Sequence, residues 1–198
     1  RSIALGNTTC ACLGLALVGL VAANLDDRPR ARRSVAEAIS ALSEPEGLLE
    51  RGVWIISAYA HFALGERDRA AECVIVAGAD DELRGLQVVD RALGYDILVT
   101  AALERGDVAA ASAWGEKSIP LAAHPAATVV VEELLARLDE ARGDPTSAVE
   151  RAGLAAARAR LNGRYLDAAR ADLLRARAMA ASGLPDVAVQ QLIDVAGE

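Results

Sequence analysis

The chain has 198 residues, of which 53% are hydrophobic but only 3% aromatic, and its formal net charge is −7. This length allows one sizeable domain or one extended array of repeats, and the acidic balance argues against direct nucleic-acid binding by this chain. Three cysteines without framework spacing argue against a disulfide-built secreted domain. We therefore expect a cytoplasmic protein with reduced, buried thiols.

The first predicted element covers residues 4–23 and contains no charged residue. Its most apolar part, Cys10–Ala23, is 14 residues long, whereas a membrane span needs about 20 apolar residues. We predict a buried helix and no membrane contact; a signal or membrane segment is the alternative. Because the chain begins at Arg1 and ends at Glu198 inside a helical pattern, we expect a fragment of a larger protein, with an exposed apolar N-terminal end that can self-associate.

A repeat organises the elements that follow. Glycines 65, 106, 143 and 183 are spaced by 41, 37 and 40 residues, and Asp26 lies 39 residues before the first of them. An alanine stands five residues after each of these five positions: Ala31, Ala70, Ala111, Ala148 and Ala188.

Each repeat is predicted to be a pair of antiparallel helices. Glycine can adopt the left-handed conformation that closes the first helix, and Asp107 and Asp144 are placed to cap the second. Small residues seven positions before the glycine then face the alanine five positions after it. The predicted repeats cover approximately residues 4–43, 47–78, 82–119, 126–160 and 165–197. Since no repeat buries its apolar face alone, stacking must build one solenoid domain over residues 1–198.

Sequence motifs for catalysis are not found. The chain has no phosphate-binding loop, no nucleophile elbow and no H-E-x-x-H motif. His61 and His124 lie in different repeats, whereas metal sites need clustered donors. We therefore expect no cofactor, no metal and no enzyme activity.

The pattern resembles tetratricopeptide (TPR) repeats: a small residue, then Gly, then Ala five residues later, with Trp54 and Tyr95 eleven residues before the glycine. The repeats are longer than the usual ~34 residues, and Glu132 and Asp172 replace the aromatic residue in the last two. The resemblance implies an all-α, right-handed superhelix of about five antiparallel helix-turn-helix repeats of roughly 40 residues, with a concave groove.

The segment Gly143–Leu192 is rich in Ala, Arg and Leu. In this composition it resembles the helical-repeat arm of large LuxR-type transcriptional regulators of actinobacteria, which share their domain layout with MalT-type activators. This resemblance implies a sensor or nucleotide-binding module before the arm and a DNA-binding helix-turn-helix after it. The alternative is a stand-alone protein-interaction scaffold unrelated to transcription.

The TPR resemblance also implies which residues line the groove: those thirteen, ten, six and three positions before each closing glycine. The groove is expected to bind a protein partner or a small effector and to pass the bound state along the stack. Ordinary ion pairs on a helix surface are the alternative for its charged residues. The candidate groove residues are Tyr59, Phe62, Asp96, Thr100, Glu133, Arg137, Arg170 and Arg177.

Overall fold

The computed structural model describes residues 2–42 and 45–197, with side chains for 8–42 and 45–193. These residues form ten α-helices and one 3-10 helix, and no β-strand occurs among them. The predicted all-α repeat of helix pairs is confirmed. In chain order the helices are α1 (Ser2–Asn24), α2 (Arg28–Ser40), α3 (Leu48–Ala63), α4 (Arg67–Gly78), α5 (Val88–Glu104), α6 (Val108–Ser118), the 3-10 helix Ile119–Ala123, α7 (Pro125–Ala141), α8 (Pro145–Leu161), α9 (Tyr165–Ala181) and α10 (Pro185–Gly197).

The chain divides into two compact units, Arg1–Ala101 and Ala102–Glu198. In the first unit, α1 packs against α2 and α3, and α3 packs against α4. In the second unit, α8 packs against both α7 and α9, and α9 packs against α10. Within each unit, helix pairs therefore share a core with a neighbouring pair, as in other stacked repeats.

The predicted closing residues have the left-handed backbone. The φ angles of Gly65, Gly106, Gly143 and Gly183 are 77°, 74°, 79° and 81°. Asp26, which takes the place of glycine in the first repeat, has a φ of 58°. A non-glycine residue rarely adopts this conformation, so the turn geometry of the repeat is kept even where glycine is missing.

Aspartates after the closing glycines cap the second helices, as predicted. The Asp107 carboxylate accepts the backbone N–H of Ala110 at 2.9 Å, and Asp144 accepts that of Ser147 at 3.1 Å. Hydrogen bonds from Ser147 also hold the pKa of Asp144 below its usual value. These bonds satisfy backbone donors that a helix leaves free in its first turn.

Small residues let the paired helices approach closely. A Cβ atom added to Gly19 would lie 2.6 Å from a Val35 methyl group and 3.3 Å from the Ala31 carbonyl oxygen. In the first repeat, position seven before the closing residue thus faces position five after it, as predicted. The alanines of the second position are all buried: Ala31, Ala70, Ala111, Ala148 and Ala188.

Helix α5 begins at Val88, whereas the sequence predicted a start at residue 82. The loop before it contains two left-handed residues, Ala79 and Leu83, with φ angles of 68° and 52°. The Asp80 carboxylate accepts the N–H of Glu82 at 3.0 Å. This side-chain cap offers the backbone an alternative to the helix, which explains the later start.

Leu83 anchors that loop in the core. Its side chain is fully buried. A Cβ atom added to Gly78 would lie 2.4 Å from the Leu83 side chain, and one added to Gly94 would lie 3.0 Å from it. The two glycines therefore leave the space that the Leu83 side chain fills. The loop is a packed part of the first unit, although no helix runs through it.

Helix α1 is covered on one side only. Cys12, Ala16 and Ala22 are buried, whereas Leu17 and Val21 are exposed. None of the helices in the described part of the chain is both long enough and apolar enough to cross a membrane.

The expectation of buried thiols holds for two of the three cysteines. Cys12 and Cys73 are buried, but Cys10 is exposed. The prediction is wrong for Cys10 because residues two apart on a helix point in different directions, and only the Cys12 side of α1 is covered.

Candidate partner-binding faces

The eight candidate groove residues divide equally between the two units. We call the four in the first unit, on α3 and α5, the aromatic face, and the four in the second unit, on α7 and α9, the charged face. The aromatic face comprises Tyr59, Phe62, Asp96 and Thr100, and the charged face comprises Glu133, Arg137, Arg170 and Arg177.

Tyr59 connects the two helices of the aromatic face. Its hydroxyl group donates a hydrogen bond of 2.8 Å to Oδ1 of Asp90, on the first turn of α5. Burial, and after it the charge of Asp90, raise the pKa of Tyr59 well above its usual value. The phenol therefore keeps its proton at physiological pH, and the hydrogen bond fixes the ring.

Phe62 is half-buried beside an arginine. The guanidinium carbon of Arg67 lies 4.0 Å from the centre of the Phe62 ring, and the same guanidinium donates to the Phe62 carbonyl oxygen. One face of the ring is thus occupied by a cation–π contact. Asp96 and Thr100 are half-buried on α5, four residues apart and therefore on one side of that helix.

An ion pair joins the two helices of the charged face. Nη2 of Arg177 lies 2.8 Å from Oε2 of Glu140, so α9 is tied to α7. Arg170 is exposed, and its guanidinium lies 3.7 Å from Asp167. Exposed pairs of this kind contribute at most about 1 kcal/mol. Both arginines therefore remain accessible to a negatively charged group on a partner.

Glu133 is the unusual group of the charged face. Its Oε1 atom is buried and has no hydrogen-bond partner among the described residues. Burial is the main cause that raises the pKa of Glu133 to about 7, with a smaller contribution from Asp167, while Arg170 and Arg164 oppose the shift. An unsatisfied, partly protonated carboxyl group destabilises the fold and is often found at functional sites.

The sequence analysis missed two acidic residues beside these faces. Asp90 contacts Tyr59, and Asp167 lies next to Arg170. Both stand sixteen residues before the closing glycine of their repeat, Gly106 or Gly183. The prediction stopped at thirteen, so extending the groove pattern by one helical turn would have found both.

A separate polar cluster lies at the turn between α3 and α4. Oε1 of Glu66 is 2.6 Å from Nε of Arg32, and Oε2 is 2.7 Å from Nδ1 of His61. Burial opposes ionisation of Glu66, but these two contacts outweigh it and lower the pKa. The cluster links α2 to this turn and places Nδ1 of His61 against the Glu66 carboxylate. Within the described residues, no group of three or more His, Cys, Asp or Glu side chains is placed to hold a metal ion.

No family model matches the chain, and no curated protein matches it. Solved structures do match it, and two of them are of nearly identical TPR-like repeats of a putative kinesin light chain from Podosopora anserina. The first, of a variant with a single substitution, is 20% identical with a TM-score of 0.65, and the second is 19% identical with a TM-score of 0.63. Each match covers 93% of this chain and 92% of the other. The fold is a TPR-like helical repeat. At this level of identity the likeness establishes the fold alone.

Proposed function

We propose that this chain is a non-catalytic, cytoplasmic binding module whose charged face takes up a protein partner or a small effector. The observation that carries the proposal is the Glu133 carboxyl group, which is half-buried on α7 with one oxygen unsatisfied. A TPR-like fold supports this role, because helical-repeat proteins commonly bind partners across the surface of their stacked helices.

The chemistry of the charged face restricts the ligand. Arg170 and Arg177 present exposed guanidinium groups, which favour carboxylate or phosphate. Glu133, with a pKa of about 7, can accept a hydrogen bond from a ligand or pair with its ammonium group. The ligand class that fits both is a compound or peptide segment with an anionic group next to a donor, such as an amino acid or an acidic peptide.

We further infer that the module is the coupling arm of a LuxR-type transcriptional regulator. The support for this assignment is the Ala-, Arg- and Leu-rich composition of Gly143–Leu192. DNA binding then belongs to a helix-turn-helix outside this chain. Sequencing the gene downstream of the Glu198 codon tests the assignment: a helix-turn-helix supports it, whereas a stop codon or further repeats overturn it.

A stand-alone interaction scaffold is the second candidate. The observation that favours it is the structural likeness to the TPR-like repeats of a putative kinesin light chain, over 93% of this chain. Both candidates share the prediction that the charged face binds a partner, and they differ only in what the bound partner controls.

Thermal-shift measurements test the binding proposal. The panel contains amino acids, dicarboxylates, sugar phosphates and short acidic peptides. We expect at least one class to raise the melting temperature of the wild type and of Glu150→Gln, an exposed control on α8. The same class should not stabilise Glu133→Gln or Arg170→Ala, because both side chains belong to the proposed ligand contact. The proposal fails if no class stabilises the wild type, or if all four proteins respond equally.

A further inference from the structure

A pocket opens in the second unit between the start of α7 and the end of α8, and the 3-10 helix before α7 contributes to its lining. Its volume is about 370 Å³, within the range of roughly 300–1,000 Å³ that is typical of ligand pockets. We call it the α7–α8 pocket. None of the four residues of the charged face lines it, so it is a separate site.

The first unit closes the equivalent end of the α3–α4 pair. There Arg51 donates a hydrogen bond of 3.0 Å to the Ala77 carbonyl oxygen, and the loop after α4 packs Leu83 against the last turn of that helix. In the second unit Val129 takes the position of Arg51, fourteen residues before the closing glycine, and α8 is joined to α9 by residues 162–164 alone. A shorter side chain and a shorter connection therefore leave the end of the α7–α8 pair open.

Most of the α7–α8 pocket is apolar. Val129 belongs to the buried cluster that joins α7, α8 and α9, so this wall is fixed by the core. Leu161 is 86% exposed, although two residues before the closing glycines the chain has only alanine or glutamate. An apolar group that covers Leu161 removes its surface from water, which favours binding. The remaining apolar lining residues are Ala122, Ala123 and Pro125.

Arg158 is the one charged residue among the described residues that line the pocket. It is half-buried, and no described residue forms an ion pair or a hydrogen bond with its guanidinium group. Arg151 and Arg160, the other arginines of α8, are both paired with carboxylates. The segment 118–131, which supplies the lining on the α7 side, contains no acidic residue. An unpaired guanidinium group beside apolar walls favours a carboxylate as its partner.

Asn162 adds a second polar group to the pocket, one helical turn after Arg158. Its side-chain amide has no hydrogen-bond partner among the described residues. The Thr128 hydroxyl, in contrast, donates a hydrogen bond of 2.8 Å to the Ala122 carbonyl oxygen and so holds the 3-10 helix against α7. Because a side-chain amide both donates and accepts, Asn162 can bond an amide group that stands next to a bound carboxylate.

We propose that the α7–α8 pocket binds a carboxylate that stands beside a short, branched apolar group and an amide. Arg158 pairs with the carboxylate, the apolar group packs against Val129 and Leu161, and Asn162 bonds the amide. Two sources supply this chemistry: an N-acylated apolar amino acid and the C-terminal residue of a peptide. The proposal does not depend on ligand binding by the charged face, because the two sites share no residue.

Titration followed by heteronuclear NMR tests the proposal, with N-acetyl-leucine and N-acetyl-leucinamide as matched probes. We expect the acid to shift the backbone amide signals of Ala122, Ala123 and Asn162. The amide should bind about tenfold more weakly or less, because a hydrogen bond to a neutral group is weaker than one to a charged group. Signals in this region that do not move, or equal affinities for the two probes, would overturn the proposal.

Two variants change the pocket in different ways. Arg158→Gln should weaken binding of N-acetyl-leucine by about tenfold or more, and Ala123→Leu, at an exposed site, should block the pocket while the arginine stays in place. Arg33→Gln, an exposed change on α2, and Arg170→Ala on the charged face should bind like the wild type. Circular dichroism checks that each variant is folded.

The variants separate the failure of this proposal from failure of the charged face. Loss of binding in Arg170→Ala, or unchanged binding in both Arg158→Gln and Ala123→Leu, places the ligand elsewhere and overturns the proposal. A short peptide that ends in leucine, with a free or an amidated C-terminus, distinguishes the two sources. Tighter binding of the free-acid peptide than of N-acetyl-leucine identifies a protein C-terminus as the ligand, and the reverse order identifies the small molecule.

Discussion

The two units fill one position of the repeat with different chemistry, eleven residues before the closing glycine. In the first unit the residues are aromatic, Trp54 and Tyr95, and Tyr95 is fully buried. In the second unit they are acidic, Glu132 and Asp172, and both carboxylates are nearly buried. The helices around them nevertheless form the same TPR-like pairs.

Arginines from α8 make the acidic version possible. Arg151 lies 3.3 Å from Glu132 and 2.8 Å from Asp139, so it joins α8 to α7. Arg160 lies 2.7 Å from Asp172 and joins α8 to α9. Each buried carboxylate is thus paired with a cation from the neighbouring helix.

The comparison shows that this position does not require a particular residue. It requires a side chain that fills the space between the helices and whose polar atoms, if it has any, are paired. A buried ring such as Tyr95 stabilises by the large apolar area that it removes from water. A buried ion pair must first offset the desolvation of both charges, so its net contribution is small, but removal of one partner leaves a costly lone charge. The two units should therefore respond differently to substitution.

The largest effect is expected in the first unit. Tyr95→Ala leaves a cavity at a fully buried site and should lower the free energy of unfolding by about 3–5 kcal/mol. Urea denaturation followed by circular dichroism measures this. Tyr165→Ala is the matched control, because Tyr165 is 73% exposed and its loss should change little. Equal effects of the two substitutions would contradict the assignment of Tyr95 to the core.

The second-largest effect compares two changes to the Arg160–Asp172 ion pair: removal of one partner and replacement of both by apolar side chains. Asp172→Ala removes the buried carboxylate that lies 2.7 Å from the partly buried Arg160 and should lower the free energy of unfolding by about 2–3 kcal/mol. The double variant Asp172→Leu, Arg160→Met should recover most of this loss, because packed apolar side chains can replace a buried ion pair. Urea denaturation again serves, with Asp186→Ala as the exposed control. A double variant no more stable than Asp172→Ala would refute the explanation.

The third effect should be the same in both units. Ala70 and Ala148 occupy the same buried position, so replacing either by leucine overpacks a close helix contact and should cost about 1–3 kcal/mol. Ala157→Leu, on the exposed side of α8, should leave the unfolding midpoint nearly unchanged. If only one unit is destabilised, the alanine position does not have a common role.

The smallest effect is a pH dependence of opposite sign in the two units. The folded chain holds the Glu133 proton more tightly than the unfolded chain, because the pKa rises from 4.5 to about 7 on folding. Stability relative to Glu133→Gln should therefore fall as pH rises through this range. The pKa of Glu66 is lowered on folding, so the folded chain binds this proton less tightly than the unfolded chain. Stability relative to Glu66→Gln should therefore fall as pH drops below 4.5.

Urea denaturation at several pH values measures both differences, and Glu150→Gln serves as the exposed control. Parallel pH profiles for the wild type and Glu133→Gln would show that this carboxyl group is not perturbed by the fold.

Much of the fold could be predicted from the sequence because its determinants are local. A left-handed Gly143, a capping Asp144 and a buried Ala148 all follow from residues within one turn. The late start of α5 could not be predicted in this way, because it depends on Leu83 filling space beside Gly94. That contact exists only after the helices have packed.

The candidate faces show the same limit. The repeat pattern predicted Glu133 and Arg177 as groove residues, and they lie on α7 and α9. It did not predict that Arg177 binds Glu140 while Glu133 keeps an unsatisfied oxygen. Likewise, Glu132 and Asp172 stood out as departures from the TPR pattern, but their arginine partners depend on how α8 is rotated against its neighbours.

The loop between α4 and α5 has a consequence for how such a chain can change length. Its extra residues are held outside both helices by Asp80 and Leu83, so the spacing of 41 residues between Gly65 and Gly106 is reached without lengthening either helix. Surface loops tolerate insertions far better than helices do. The exposed Ala79 is therefore a suitable position at which to insert a reporter peptide, and one at which natural variants of the chain could gain residues without altering a helix.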